Sequence, residues 1–373
     1  MSDKKDKDHY DRYGWMTNEE NLSTLPASAP QAAKDLVKWL TLEGRRKALT
    51  EWLKCCEEDG KIHGKYWPIG AWTHRMSHSA PNSANISAPL NHPEVSNEDG
   101  LIYVEQYRKK YGPFSNMLEA HTFEGPDLTP VESIKARYDA KLRNCWTASE
   151  GSWLVGTDAE GIQLRLLAHY MKSKEYVEAI CKGDKKDETD IHNMNKKALG
   201  PICRTRDHAK TFIYAFLLGA SIPKVAEILQ CSNKEASQAV SNFLAALPGL
   251  KKLKDWTIPN DARRGYFIGL DGRKVKCTSE HHMLAGYLQN GEAVIMKHAD
   301  ILWRTRAKAE GIIFKQVNFV HDEWQTECYG TKEQAERLGE IQRQAIEDVG
   351  KELEVFCPLA GNTKIGKTWL QTH

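Results

Sequence analysis

Between Ser152 and Cys328 the hydrophobic period of the chain changes twice, and this limits the folds open to it. Ser152 to Asp158 (SWLVGTD) has the short apolar character of a buried strand. Ala159-Glu160-Gly161 then turns the chain into a helical pattern from Ile162 to Tyr170, and residues 171–250 look almost wholly helical. From Gly265 alternation returns. GYFIGLDGRKVKC places an Asp271-Gly272 turn between two short strands, and Phe314 to Cys328 alternates on both sides of His321-Asp322. His282 to Ala307 and Lys332 to Glu354 are helical between and after these hairpins. Strand-rich, helix-rich, strand-rich is the order expected of a sheet-bearing domain with a helical block inserted into it.

The flanking regions are less constrained. Residues 1 to about 30 are polar and end in Pro/Ala/Ser-rich sequence, which predicts a poorly ordered tail. Leu36, Trp39, Leu40, Leu49, Trp52 and Leu53 recur at helical spacing over Gln31–Glu58, giving one or two helices before Gly60. Residues 61–89 are dense in Gly, Pro, Ser and Asn, so loops and short strands are expected. There Trp67, Trp72, Arg75 and His78 interleave rings and cations, a composition suited to a nucleic-acid backbone and equally to a structural surface loop. Residues 91–128 carry little pattern, and Pro130 to Trp146 reads as a helix with Val131, Ile134, Tyr138 and Leu142 on its apolar face. Residues 223–247 form a helix pair closed by Pro248-Gly249, in which packing is favoured over groove reading.

Composition removes several classes. The chain has no apolar run long enough to span a bilayer, and its charged N-terminus lacks the apolar core of a secretory signal. Nine cysteines without a C-x-x-C pair read as free thiols in a reducing cytoplasm, host cytoplasm if the chain is phage-encoded. The 52 basic residues are offset by 50 acidic ones, so overall charge does not mark the chain as a nucleic-acid binder.

Two local patterns carry chemistry. In RDHAKTFIYAFLLG, Arg206, Lys210, Tyr214 and Leu218 are spaced four apart and share one slowly turning helix face. Phe212, Ile213, Phe216 and Leu217 form the neighbouring inward stripe. A ligand matching that row is anionic at one end and flat at the other, as a nucleoside triphosphate is, with Arg as fork and Lys as point charge. An ordinary amphipathic helix with a solvated basic end satisfies the same spacing. The second pattern is acidic: Asp158 at a strand end, and Asp322 at a hairpin tip with Glu323 beside it. Adjacent strands would bring Asp158 and Asp322 close, where mutual repulsion favours a cation such as Mg²⁺. Two such ions would serve an in-line phosphoryl displacement. A lone strand-end Asp is otherwise a turn cap.

Taken together, GTDAEGIQLRLLAHY (156–170), RDHAKTFIYAFLLG (206–219) and VHDEW (320–324) resemble, in order, the three polymerase motifs of family A DNA polymerases, most of all the phage replicative branch. THRMSHSAPN (73–82), Asp190-Ile191-His192, GLDGRKV (269–275) and Gln289 support the likeness, which runs from about Lys34 onward. The resemblance implies an α+β right hand: an antiparallel palm sheet, inserted helical fingers and a truncated thumb. Its domains would be a tail (1–30), thumb-remnant helices (31–60), palm (61–171, with an insertion at about 91–128), fingers (172–284) and palm again (285–373). It implies a DNA-directed DNA polymerase using two Mg²⁺ ions held by Asp158, Asp322 and the carbonyl of Ala159, with Glu323 as a neighbouring acid. Arg206, Lys210 and His192 would hold the triphosphate, Lys210 would also neutralise the leaving pyrophosphate, and Tyr214 would pack on the sugar. Arg75, Gln289 and His321 match positions that touch primer-template DNA.

The departures are specific. Gln163 stands where the family usually has Glu, which softens ribose exclusion, and Leu218 stands where it normally has Tyr, which bears on template placement. Tyr214 in place of Phe resembles the variant that accepts dideoxynucleotides. An upstream exonuclease domain and a full thumb are expected to come from a second protein chain, with 91–128 as a docking surface. The alternatives are a relic DNA-binding or replisome-assembly subunit, and a single-chain RNA polymerase.

Overall fold

The computed structural model describes residues 28–87 and 130–373, with Thr17 and Leu22 as isolated positions. The tail and the stretch 91–128 lie outside the described residues. The chain divides into two compact units. One takes the described parts of 1–65 and 78–148 together with Lys367–Gln371; the other takes Tyr66–Ser77, Ser149–Gly366 and Thr372–His373.

In the first unit, helix α1 (Gln31–Cys55) is continuous. The short strands β1 (Lys65–Trp67) and β2 (Ser77–Ser79) follow at the boundary between units, as the loop-forming composition predicts. Helix α2 (Pro130–Asn144) packs on α1. Arg45 grips Asp139 through Nε and Nη2, both at 2.9 Å. Trp52 meets Trp146 edge-on at 5.2 Å, and Trp146 meets Trp369 at 6.3 Å. The apolar spacing of α1 does not mark a buried stripe: the helix buries Val37 and Thr41, while Leu36, Trp39, Leu49 and Leu53 are exposed. In α2, Leu142 is buried as expected, whereas the side chains of Val131 and Ile134 lie outside the described residues.

The second unit is built on one antiparallel sheet. Strand β3 (Trp153–Ala159) leads into helix α3 (Ile162–Met171), and α4 (Lys174–Cys181) and α5 (Ile191–Leu199) follow. Residues 182–190 are not helical, contrary to the expectation of continuous helix there. A side chain on Gly183 would press 2.4 Å from the Ala179 carbonyl, and Asp184 and Thr189 close a hydrogen-bonded turn that delivers Asp190 as the cap of α5. Helix α6 (Arg206–Leu217) is capped by Thr205, whose hydroxyl accepts from the His208 amide at 3.1 Å. Its inward stripe is buried as the spacing predicts, and Phe212, Phe216 and Phe243 gather with centroids 5.1–5.5 Å apart. Phe243 comes from α8 (Asn233–Ala246), which follows α7 (Ile222–Leu229) and precedes α9 (Pro248–Lys252) and α10 (Ile258–Arg264).

Strands β4 (Tyr266–Ile268) and β5 (Lys274–Lys276) form the Asp-Gly hairpin, with Gly272 at φ 77° supplying the left-handed turn residue. Helix α11 (Glu280–Ala309) is longer than its pattern suggested, so the expected fingers–palm border at 284/285 and Gln289 both fall inside it. Strands β6 (Phe314–Val320) and β7 (Glu323–Cys328), helix α12 (Lys332–Glu352) and strand β8 (Gly361–Gly366) complete the unit.

The sheet order is β6-β7-β3-β8. Helix α12 lies close against it, where Gly339 leaves room for Thr363. Gln342 on α12 accepts from the Thr157 hydroxyl at 2.8 Å and donates to that of Thr326 at 2.9 Å, joining β3 and β7 beneath the sheet. No helix among the described residues is long and apolar enough to cross a membrane.

Candidate active site

The sheet register assembles the acidic end of the site. Asp158 is the second-to-last residue of β3 and pairs with Glu323 on β7 and Asn362 on β8. Asp322 sits in the β6–β7 turn, where His321 adopts a left-handed backbone (φ 54°), and the Asp322 carbonyl accepts from the Ala159 amide at 2.9 Å. Two acids 164 positions apart in sequence thus stand on adjoining strand ends. Burial pushes the Asp158 carboxyl upward, and Glu323 adds to it. Burial, followed by the negative charge of Glu292, pushes Asp322 up to about 7. Glu323 is buried and engaged: its oxygens accept from Gln325 Nε2 at 2.6 Å and meet His373 Nδ1 at 2.8 Å.

The electrostatics of this end suit a cation. Two carboxylates held against burial and like charge gain by sharing one, and hard divalent ions prefer carboxylate and carbonyl oxygens. Among the described residues no group of three or more His, Cys, Asp or Glu side chains is placed to hold a metal ion. The available donors are therefore a carboxylate pair beside strand-end carbonyls, an open set that solvent or substrate oxygens must complete.

Helix α6 brings the second group. Arg206 directs Nε and Nη2 to Asp190 Oδ2, at 3.0 and 2.5 Å. Burial would raise the Asp190 carboxyl, but these bonds and those from Asn193 hold it below its ordinary value. His192, the second residue of α5, is buried, and its ring lies 6.3 Å from that of Tyr214. Burial and the Arg206 charge lower its pKa, keeping the ring neutral at pH 7. Tyr214 is raised by burial and by the charge of Asp322, which links this helix electrostatically to the acidic end. Lys210 lies exposed on the same helix, and Leu218, just past its last turn, is exposed too.

A third group comes from the loop 68–77 laid along α11. Lys297 Nζ donates to the carbonyls of Pro68 and His74, both at 2.6 Å, and Asn290 Nδ2 donates to the Thr73 carbonyl at 3.3 Å. A Cβ on Gly286 would stand 2.7 Å from the Trp72 ring, so this glycine is what lets the indole approach the helix. Arg75 Nη2 then donates to Glu292 Oε2 at 2.6 Å, and Gln163 Nε2 reaches the same oxygen at 3.4 Å. Gln289, three residues before Glu292, is half-buried on α11. Sequence reasoning missed Glu292 and the clamping role of Asp190. The i, i+3 spacing of Gln289 and Glu292 was the available pointer, since such residues share a helix face.

Comparison with known proteins supplies the family. The family model for DNA polymerase family A matches residues 1–371. The DNA-directed DNA polymerase of Enterobacteria phage T3 is 31% identical over 371 residues, covering 92% of this chain and 46% of the phage protein, and that of Escherichia phage T7 gives the same identity and coverage. DNA polymerase I of Geobacillus stearothermophilus is 26% identical over 65% of the chain and 29% of its own length. The fold resembles the POL domain of Pol1 from M. smegmatis, solved with DNA primer-template and dNTP, at a TM-score of 0.72 and 19% identity, over 99% of this chain and 58% of that one. The chain spans about half the length of the phage relatives it matches. With its three sequence motifs gathered in one unit and the family model spanning nearly its whole length, the chain belongs to DNA polymerase family A.

Proposed function

We propose that the chain catalyses template-directed DNA synthesis, joining a deoxynucleoside triphosphate to a primer 3′ end. The observation that carries this reading is that the Asp322 turn is hydrogen-bonded to Ala159, the residue after Asp158, with Asp322 electrostatically in reach of Tyr214 on the cationic helix. In the chemistry, the primer 3′ oxygen attacks the α-phosphorus, the bond to the β-phosphate oxygen breaks, and pyrophosphate leaves. Asp158, Asp322 and the Ala159 carbonyl would hold two Mg²⁺ ions, whose contribution is to polarise the attacking hydroxyl and neutralise charge on the phosphates.

The remaining work falls to side chains. Arg206 and Lys210 hold phosphate oxygens, with neutral His192 donating a hydrogen bond, and Lys210 Nζ neutralises or protonates the departing pyrophosphate. Tyr214 packs against the incoming sugar, and Gln163 lies where the 2′ position is sensed. Arg75, Gln289 and His321 face the primer-template near its growing end. In this reading the β3/β6/β7/β8 sheet is the palm, 172–284 are the fingers, and 31–60 are a thumb remnant.

Primer extension by the purified chain with Mg²⁺ and the four deoxynucleotides, beside Asp322→Ala, tests the proposal. Extension by the wild type alone supports it; silence from both proteins rejects autonomy, and the same assay with lysate of the native cells then tells a split enzyme, which extends, from a relic subunit, which does not. Ribonucleotides in place of deoxynucleotides separate it from an RNA polymerase. Isolating the chain from its native cells, beside the chain purified alone, tests the expected second chain.

A further inference from the structure

We infer that Glu292 is a positioning residue for the polymerase reaction, its carboxylate clamping Arg75 and Gln163 to one oxygen and so joining the primer-facing loop to the nucleotide-facing helix. The inference rests on the reading of the chain as a templated polymerase.

Three observations carry it. First, the two partners come from separate elements, Arg75 from the 68–77 loop and Gln163 from the first turn of α3, and both converge on Glu292 Oε2, at 2.6 and 3.4 Å. Second, the carboxylate is fully buried, with a side chain 1% exposed against 14% for Arg75. Burial pushes this carboxyl upward and the Arg75 guanidinium works against that, so its charge at such depth depends on the partner. Third, the pair is not built as a saturated structural bridge. Glu292 Oε1 and Arg75 Nε are buried without a hydrogen-bond partner among the described residues, whereas Arg45–Asp139 uses the fork geometry fully. A pair serving stability alone would gain by closing that second bond. Instead both partners share Oε2, so the guanidinium and the Gln163 amide are aimed by one oxygen and Oε1 is left over.

Glu292 is also a source of negative charge felt by Asp322, so it belongs to the same electrostatic site rather than to a distant part of the core. It touches no substrate in this scheme; it acts through Arg75 and Gln163. The amide of Gln163 and the acid of Glu292 have nearly the same shape and are neighbours, so exchanging them moves the charge across the cluster while preserving its sum.

The test compares wild type, Glu292→Gln and the exchange Gln163→Glu/Glu292→Gln. Arg75 modification by phenylglyoxal, followed by peptide mass spectrometry, should accelerate about tenfold in E292Q and return to within about twofold of wild type in the exchange, because a charge-assisted bond is lost and then restored. In single-turnover insertion, E292Q should lower the maximal rate about tenfold with the nucleotide KM changed by less than about twofold, and the exchange should recover most of that rate. Equal Arg75 reactivity in all three proteins overturns the inference, as does a deficit that the exchange fails to reduce. If E292Q does not fold, the exchange is compared directly with wild type, and fast Arg75 modification in it overturns the inference. A wild type that extends no primer even with lysate of the native cells added removes the polymerase reading, while the reactivity comparison still decides the clamp.

Discussion

Replacing Asp322 with Asn should stabilise the metal-free protein while abolishing its chemistry, and the gain should depend on pH in a defined direction. The carboxyl is carried from an ordinary 3.8 to about 7 by burial and by Glu292. The folded state therefore holds a proton that the unfolded chain has released between those two values, and stability falls as pH rises through that window. At about 1.4 kcal/mol per pH unit, the full displacement corresponds to about 4 kcal/mol above pH 7. Asp322 is only half-buried, so solvent screening should reduce this to about 2 kcal/mol. The expected result is D322N melting with the wild type near pH 4 and a few degrees above it at pH 8, measured without divalent ions. Added Mg²⁺ should then raise the wild-type midpoint, because an ion that binds the folded state alone stabilises it, and should move D322N far less. A D322N midpoint at or below wild type at pH 8, or a gap that does not close on acidification, refutes the electrostatic account of the acidic end.

Other consequences can be checked with simple variants. Lys210→Ala should leave the melting temperature unchanged, since the side chain is exposed, and should lower kcat by about 10²- to 10³-fold in single-turnover extension. His169 accepts from the Phe356 amide at 2.9 Å, and burial holds its pKa near 4, so below its unfolded value of 6.5 the unfolded chain takes a proton the folded one refuses. Its contribution should be complete above pH 6.5 and lost as pH falls towards 4, by about 1–2 kcal/mol after solvent screening, a loss absent from His169→Gln in denaturant titrations. Gly339→Ala would put a methyl 2.4 Å from Thr363 Cγ2 and should cost about 1–3 kcal/mol, most of it recovered on adding Thr363→Ser, which removes that methyl.

The parts of this molecule legible in the sequence are those specified locally. The alternation around His321-Asp322 gave the β6–β7 hairpin, and the four-residue spacing gave α6 and its buried Phe212/Phe216 stripe. What periodicity could not supply is which elements meet. Helical spacing in α1 is equally compatible with a buried and an exposed stripe, and only the packing, which engages Arg45 and Trp52, decides that Trp39 and Leu53 stay outside. Glu292 was illegible for the same reason. A glutamate within a helix is ordinarily solvated, and nothing in its neighbours shows that α11 runs through the core or that a loop more than two hundred residues earlier lies across it.

Arg206 shows how the two levels combine. Sequence spacing marks it as an anion holder, yet the structure already pairs it with Asp190, an engagement that at first sight takes the cation out of service. The geometry argues otherwise. Asp190 occupies Nε and Nη2 with one oxygen, and the exposed Asp207 carboxylate stands 3.8 Å from Nη1, beyond hydrogen-bond distance, so of the five N–H donors those of Nη1 and the second of Nη2 stay open to a phosphate. The same contact raises the Arg206 pKa and fixes the plane of the fork, while Asp190 itself is held by the α5 cap it forms with Asn193. A long side chain that would otherwise lose rotamer freedom on meeting a phosphate has lost it on folding, so binding need not supply that ordering again. The cap of α5 is therefore also the part that presets the cation, which connects a local folding rule to the affinity of the site.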